Sequence, residues 1–112
     1  MARIDSVDFG EIVVAGKSYY SDVSIDSKGR VEHRTKSHVV GADDIMPVLK
    51  DVDCIVIGTG MEGSVEVEDE VPEILENKGI KLFVEETRNA VDVFNGLIAD
   101  KKRVAGIFHV TS

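Results

Sequence analysis

The sequence predicts an α/β protein with a β-rich N-terminal extension, and two contrasting patterns predict it. Over the first forty residues, apolar side chains recur with period two between glycine-marked turns, as in half-buried strands. From Cys54 onward, continuous apolar runs alternate with stretches whose apolar residues recur at helical spacing, the pattern of strands joined by crossover helices. The chain has 112 residues, which suits one domain over residues 1–112, because autonomous domains run to about 100–150 residues.

Ile4, Val7 and Phe9 open the strand pattern and Ile12, Val13 and Val14 continue it, with Gly10 and Gly16 as punctuation. Tyr19, Val23 and Ile25 follow. Asp26-Ser27-Lys28-Gly29-Arg30 is a turn that uses glycine's tolerance of positive φ, so a hairpin is expected from Asp22 to Arg34. The whole N-terminal part reads as one antiparallel meander. After Gly41, Asp43 or Asp44 is expected to cap a short helix whose apolar residues Ile45, Val48 and Leu49 fall at i, i+3 and i+4, with Pro47 in its first turn.

Cys54-Ile55-Val56-Ile57 then runs into Gly58-Thr59-Gly60, the form of a central strand covered on both faces. A second helix fits Glu70–Asn77, with Pro72 near its start, Val71, Ile74 and Leu75 on one face and Gly79 as its stop. Ile80–Val84 is another apolar strand. Thr87 is the expected N-cap of a third helix over Arg88–Ala99, whose buried stripe is Val91, Phe94, Leu97 and Ile98. Val104–Val110 closes the pattern as a strand.

Composition excludes several functions. Thirteen Lys and Arg against 21 Asp and Glu leave a net charge of −8, which opposes phosphate backbones and anionic lipid, so neither nucleic acid nor membrane is an expected partner. Cys54 is the single cysteine, so no intramolecular disulfide or zinc cluster can form, and a reducing compartment is expected. No signal-peptide run and no membrane span is visible, and the expected location is the cytoplasm.

In open α/β sheets, ligands bind beyond the carboxyl ends of the parallel strands. Two loops qualify. In Gly58-Thr59-Gly60-Met61-Glu62-Gly63, glycines permit close approach of backbone N–H groups to a ligand. The second, Glu85-Glu86-Thr87-Arg88-Asn89, leads into a helix whose N-terminus favours an anion. Together they could form one cleft wall around a small anionic ligand. Each residue also has a plainer reading: the glycines as a tight strand exit, Thr87 as a helix cap. The glycine run lacks the Lys-Ser/Thr ending of a nucleotide loop and the G-x-G-x-x-G order of a dinucleotide site, so no cofactor is expected.

Thr87, Val91 and Asn95 share one side of the third helix, so the Asn95 amide is either a clasp on neighbouring backbone or a ligand contact. His33, His38 and His109 lack metal-ligand spacing, and no metal is expected. Arg34, Lys36 and His38 form the one locally basic stretch, either anion contacts or a solvated edge strand. His109 is an interior histidine paired to backbone or a general base. Cys54 reads as a small core side chain rather than a nucleophile. Seven carboxylates and no basic residue lie between Glu62 and Glu76, a solvated face or a surface for a basic partner, with Met61 beside it as an apolar contact or core filler.

Taken together, Phe9-Gly10 with Ile12, Gly16, Tyr19 and Asp22-Val23, then Ile57-Gly58-Thr59-Gly60-Met61, then Thr87, Ala90 and Asn95, and last Phe108-His109 with Thr111, resemble the Mth938-like domain family over essentially the whole chain. That family includes small archaeal and bacterial proteins, a mitochondrial complex I assembly factor and the adipogenesis-associated Mth938-domain protein of animals. The resemblance implies a three-layer α/β fold with a mixed central sheet, helices and an additional N-terminal antiparallel β layer. It brings no reaction, and no catalytic residue is assigned from it. Two departures stand out: many relatives carry tryptophan in the strand written here Val31-Glu32-His33-Arg34, and a cysteine where this chain has Ser112.

The expected function is a non-catalytic binding or assembly module that contacts a protein partner through the Gly58–Gly63 loop, the Thr87 region and the acidic face. The alternative is an enzyme or sensor for a small anionic metabolite, held between the Gly58–Gly63 and Glu85–Asn89 loops by Gly58, Thr59, Gly60, Met61, Thr87, Arg88, Asn95 and His109. Self-association through edge strands of the N-terminal meander is a third expectation, since a small domain gains core by forming a homo-oligomer.

Overall fold

The computed structural model describes residues 3–112. Its middle layer is a five-stranded mixed sheet built from β4 (Asp22–Ile25), β5 (Val31–Arg34), β7 (Cys54–Gly58), β9 (Lys81–Glu85) and β10 (Val104–Phe108), in the order β5-β4-β10-β7-β9. β7 pairs parallel with both β10 and β9, as crossover helices require, while β4 pairs antiparallel with β10. A separate antiparallel sheet, β1 (Ile4–Asp8), β2 (Glu11–Val14) and β3 (Lys17–Tyr19), forms the extra layer.

The N-terminal part is therefore not one meander. The predicted hairpin forms, with Asp22 opposite Arg34, but Val23 and Ile25 are fully buried and the hairpin joins the central sheet instead of the small one.

Strand alternation sorts the core into two. Cys54 and Val56 of β7, Val104 and Phe108 of β10, and Val23 and Ile25 of β4 face α3 (Thr87–Ala99) and the small sheet, where Ile4, Ile12, Val14, Val91 and Phe94 meet them. Ile55, Ile57, Ala105 and Ile107 point the other way, toward α1 (Ala42–Ile45), a 3₁₀ turn over Met46–Val48 and α2 (Glu70–Asn77). Every residue of β7 and β10 is buried, so their unbroken apolar runs reflect cover on both faces. β7 is interior, with β10 in the middle position.

Three helix starts differ in detail from expectation. Gly41, not Asp43 or Asp44, is the N-cap of α1, and the Asp44 carboxylate reaches back to accept from Gly41 N at 2.7 Å. Pro47 lies in the 3₁₀ turn, where its missing N–H costs nothing. Glu86 is the N-cap of α3, and Thr87 is its first residue. Helix α2 spans the expected residues, with Gly79 at φ +69° just beyond it. The strand expected over Ile80–Val84 is β9, shifted by one residue and placed at the edge, with Lys81, Val84 and Glu85 exposed. Two short strands, β6 (Val39–Val40) and β8 (Glu66–Val67), pair parallel and carry His38 toward the carboxyl ends of the central strands. Among the described residues, no helix is long and apolar enough to cross a membrane.

Candidate functional site

The parallel strands β7, β9 and β10 end together at Gly58, Glu85 and Phe108, and the two predicted loops do meet there. Thr59 N donates to Glu85 O at 2.9 Å, and Thr59 Oγ1 donates to the same carbonyl at 3.1 Å. Thr87 is fully buried. Its hydroxyl donates to His109 O at 2.6 Å and accepts from Gly60 N at 2.8 Å, so one side chain ties three strand ends together. Thr87 N closes the ring by donating to Gly60 O at 3.0 Å.

The loop's remaining amides are also engaged. Met61 N donates to Thr111 O at 2.7 Å, and Glu62 N donates to Ser112 O at 3.0 Å. The segment after β10 lies across the Gly58–Gly63 loop and occupies the donors a ligand was expected to use. The glycines answer to that segment. Gly60 holds φ +105°, and a Cβ on it would stand 2.5 Å from the Ser112 carbonyl carbon and 2.9 Å from His109 Cδ2. A Cβ on Gly58 would stand 3.0 Å from Thr87 Oγ1 and from the Phe108 ring. The cleft wall is thus the inside of a closed joint: Gly58, Thr59 and Gly60 are buried, and Met61 is half-buried.

Because β4 runs antiparallel to β10, its first residue, Asp22, lies beside His109. Both are almost completely buried, at 3% and 2% exposure. Asp22 Oδ2 is 2.6 Å from His109 Nδ1, and Asp22 Oδ1 accepts from Val110 N at 3.0 Å. A carboxylate at Nδ1 sets the proton of the neutral ring there and leaves Nε2 as an acceptor for the Thr111 hydroxyl, 3.2 Å away. His38 stands edge-on to His109 with ring centroids 5.1 Å apart, and its Nε2 lies 3.4 Å from Ser112 Oγ.

Carboxylate, imidazole and hydroxyl thus stand in the order of a nucleophile relay. Such a relay also needs donors aimed at a developing oxyanion. The N–H groups of Gly60, Met61, Glu62, His109 and Val110 around it are all bonded within the chain. The array holds the last residues in place.

Of the other predicted residues, His38 alone reaches this joint. Asn95 clasps β1: its Nδ2 donates to Ile4 O at 2.8 Å and its Oδ1 accepts from Ile4 N at 3.0 Å. Arg88 is exposed and reaches Val7 O at 3.1 Å, with Asp8 at 3.8 Å. The basic stretch disperses. Arg34 binds Asp44 at 2.6 Å, Lys36 is exposed, and His38 joins His109. The sequence by itself assigns no role to Asp22 or Thr111; their signal is an acid opening a buried strand and a His-x-Thr following another.

At the opposite ends of the strands, hydrogen bonds from the Arg103 guanidinium and main chain hold the Asp53 carboxyl down to about 2. Burial raises the neighbouring Cys54 thiol, which stays a protonated core side chain. Among the described residues, no group of three or more His, Cys, Asp or Glu side chains is placed to hold a metal ion.

A three-layer α/β domain of this kind has known counterparts. A family model described as a protein of unknown function (DUF498/DUF598) matches residues 4–109, and the chain belongs to that family. Among solved structures, it is similar to the conserved hypothetical protein PH1505 from Pyrococcus horikoshii OT3, at 27% identity and TM-score 0.87 over 98% of this chain and 99% of that one. It is similar to the protein MT938 at 24% identity and TM-score 0.86, over the full length of both. A Bordetella pertussis protein described as a Mth938-like domain is similar at 16% identity and TM-score 0.71 over 97% of this chain and 85% of that one. The fold is the Mth938-like fold.

Proposed function

We propose that this protein is a non-catalytic binding or assembly module that docks a protein partner beside the closed joint. The carrying observation is a pair of exposed aromatic residues. Phe9, in the β1–β2 turn, is 65% exposed, and Tyr20, just after β3, is 75% exposed. Tyr19 pairs with Ile12 and Asp8 with Glu11, so both aromatic residues stand at the same end of the small sheet. Gly10 N donates to Val110 O at 2.8 Å, which fixes that end against the joint. Aromatic side chains of this kind are the usual anchors of protein interfaces, being large, stiff and cheap to immobilise.

The Gly58–Gly63 loop and Thr87 are engaged by residues 109–112, so the proposed contact surface moves from them to the aromatic rim. The carboxylates of α2 lie across the central sheet from it and form a separate surface. A small anion between the loops would have to displace residues 111–112 from the amides they occupy, which weighs against the metabolite reading.

Affinity capture from native extract, compared between the wild-type chain and a Phe9→Ala/Tyr20→Ala variant, tests the proposal. The wild type should retain a defined partner that the variant loses while unfolding at the same denaturant concentration. Identical captured sets, or none above background, would overturn it.

A further inference from the structure

We propose that two copies of this chain associate by pairing β9 with its own copy, antiparallel about Phe83, so that the central sheet continues across both molecules. Main-chain directions carry the argument. Lys81 N donates to Asp53 O at 3.0 Å and Thr59 N donates to Glu85 O at 2.9 Å, within a parallel register running from Cys54 opposite Lys81 to Gly58 opposite Glu85. In a parallel ladder, alternate residues give both N–H and C=O to the same neighbour. Lys81, Phe83 and Glu85 therefore bond toward β7, and Leu82 and Val84 turn their N–H and C=O away from it. Strand order ends at β9, so among the described residues no strand pairs with those outward groups.

An antiparallel copy satisfies them in one register, with Leu82 opposite Val84 of the second copy and Val84 opposite its Leu82. Side chains then fall into complementary places. Phe83 faces Phe83, and Lys81 faces Glu85 at both ends of the paired segment. The segment Lys81-Leu82-Phe83-Val84-Glu85 is its own charge complement when reversed. Charged residues on an edge strand normally repel foreign strands; here the symmetric register sets opposite charges face to face at both ends, and a register shifted by two residues loses both pairs. The pairing also covers Val84, which is 42% exposed in the single chain.

The sheet's other edge is managed differently. β5 has exposed Glu32 and His33, and Arg34 is drawn away to Asp44. Self-association, first expected at the edges of the N-terminal meander, is thus placed on β9. It does not depend on the partner-binding proposal.

Sedimentation velocity over a concentration series up to millimolar tests it. The wild type should shift reversibly to twice its mass. Lys81→Glu or Glu85→Lys alone sets two like-charge pairs across the interface and should weaken the dimer by about tenfold. The double variant K81E/E85K restores opposite charges and should recover wild-type affinity. The two single variants, mixed, should pair with each other more tightly than either pairs with itself. Val84→Pro removes only an outward N–H and should abolish dimerisation while leaving the β7 bonds intact. A wild type that stays monomeric throughout would overturn the proposal, as would a dimer that neither the charge reversals nor Val84→Pro affects.

Discussion

At the carboxyl ends of β7, β9 and β10, the N–H groups of Gly60, Met61 and Glu62 are bonded to Thr87, Thr111 and Ser112. At the amino ends of the same sheet, Lys28, Arg30 and Lys50 stand around an open cavity of about 260 Å³, together with Asp26 and Asp51. The end that fold rules nominate for a ligand is filled by residues 109–112, and a cavity opens at the end they pass over. Glycines after a buried strand and a helix N-terminus mark a place where something approaches the backbone closely. In this protein that something is residues 109–112.

Substitutions at the two ends should therefore differ in size, and the largest effect is expected at Gly60. A side chain there meets both a positive φ and the Ser112 carbonyl, so Gly60→Ala should destabilise by about 3 kcal/mol. Gly79 also has positive φ but open space around it, and Gly79→Ala should cost about 1 kcal/mol. Urea unfolding of both variants measures the difference, and equal losses would mean that close packing at Gly60 is not the cause.

Next in size is Thr87→Val, which keeps the shape but removes the hydroxyl from Gly60 N and His109 O. It leaves a buried donor and acceptor unpaired, at a cost of about 2 kcal/mol, and Thr87→Ser should recover most of it. The smallest effect belongs to the amino ends. Asp53, held near 2 against an ordinary 3.8, contributes stability that is fully present above about pH 4 and lost as pH falls through 2. Asp53→Asn should remove this contribution, flattening the stability profile between those values and lowering neutral-pH stability only slightly, because both partners are largely solvated.

Much of the fold was legible because its signals are local. Helix α2 begins and ends at the expected residues since Pro72, the Val71–Leu75 stripe and Gly79 lie within one short window. β7 and β10 were visible as unbroken apolar runs. The joint was not, because its bonds span the chain: Thr87 to His109, Gly60 to Thr87, and Asp22 to His109, the last across 87 positions. A threonine that caps its own helix and one that bolts three strand ends together look alike in sequence. The departure of the Asp22–Arg34 hairpin from the meander was hidden for the same reason, since only pairing with β10 decides it. Asn95 was the exception: its place beside Val91 on α3 marked a half-buried amide, and the clasp on Ile4 was one of its two readings.

Amide hydrogen exchange at Gly60, Met61 and Glu62 tests the central claim most directly, because it reads whether those donors are occupied in solution. Self-occupation predicts that Gly60 and Met61 exchange as slowly as β7 and β10, open only with global unfolding, and gain no protection from added phosphate or carboxylates. Fast exchange at these amides, slowed by a small anion, would contradict it and return the loop to the role of a ligand site.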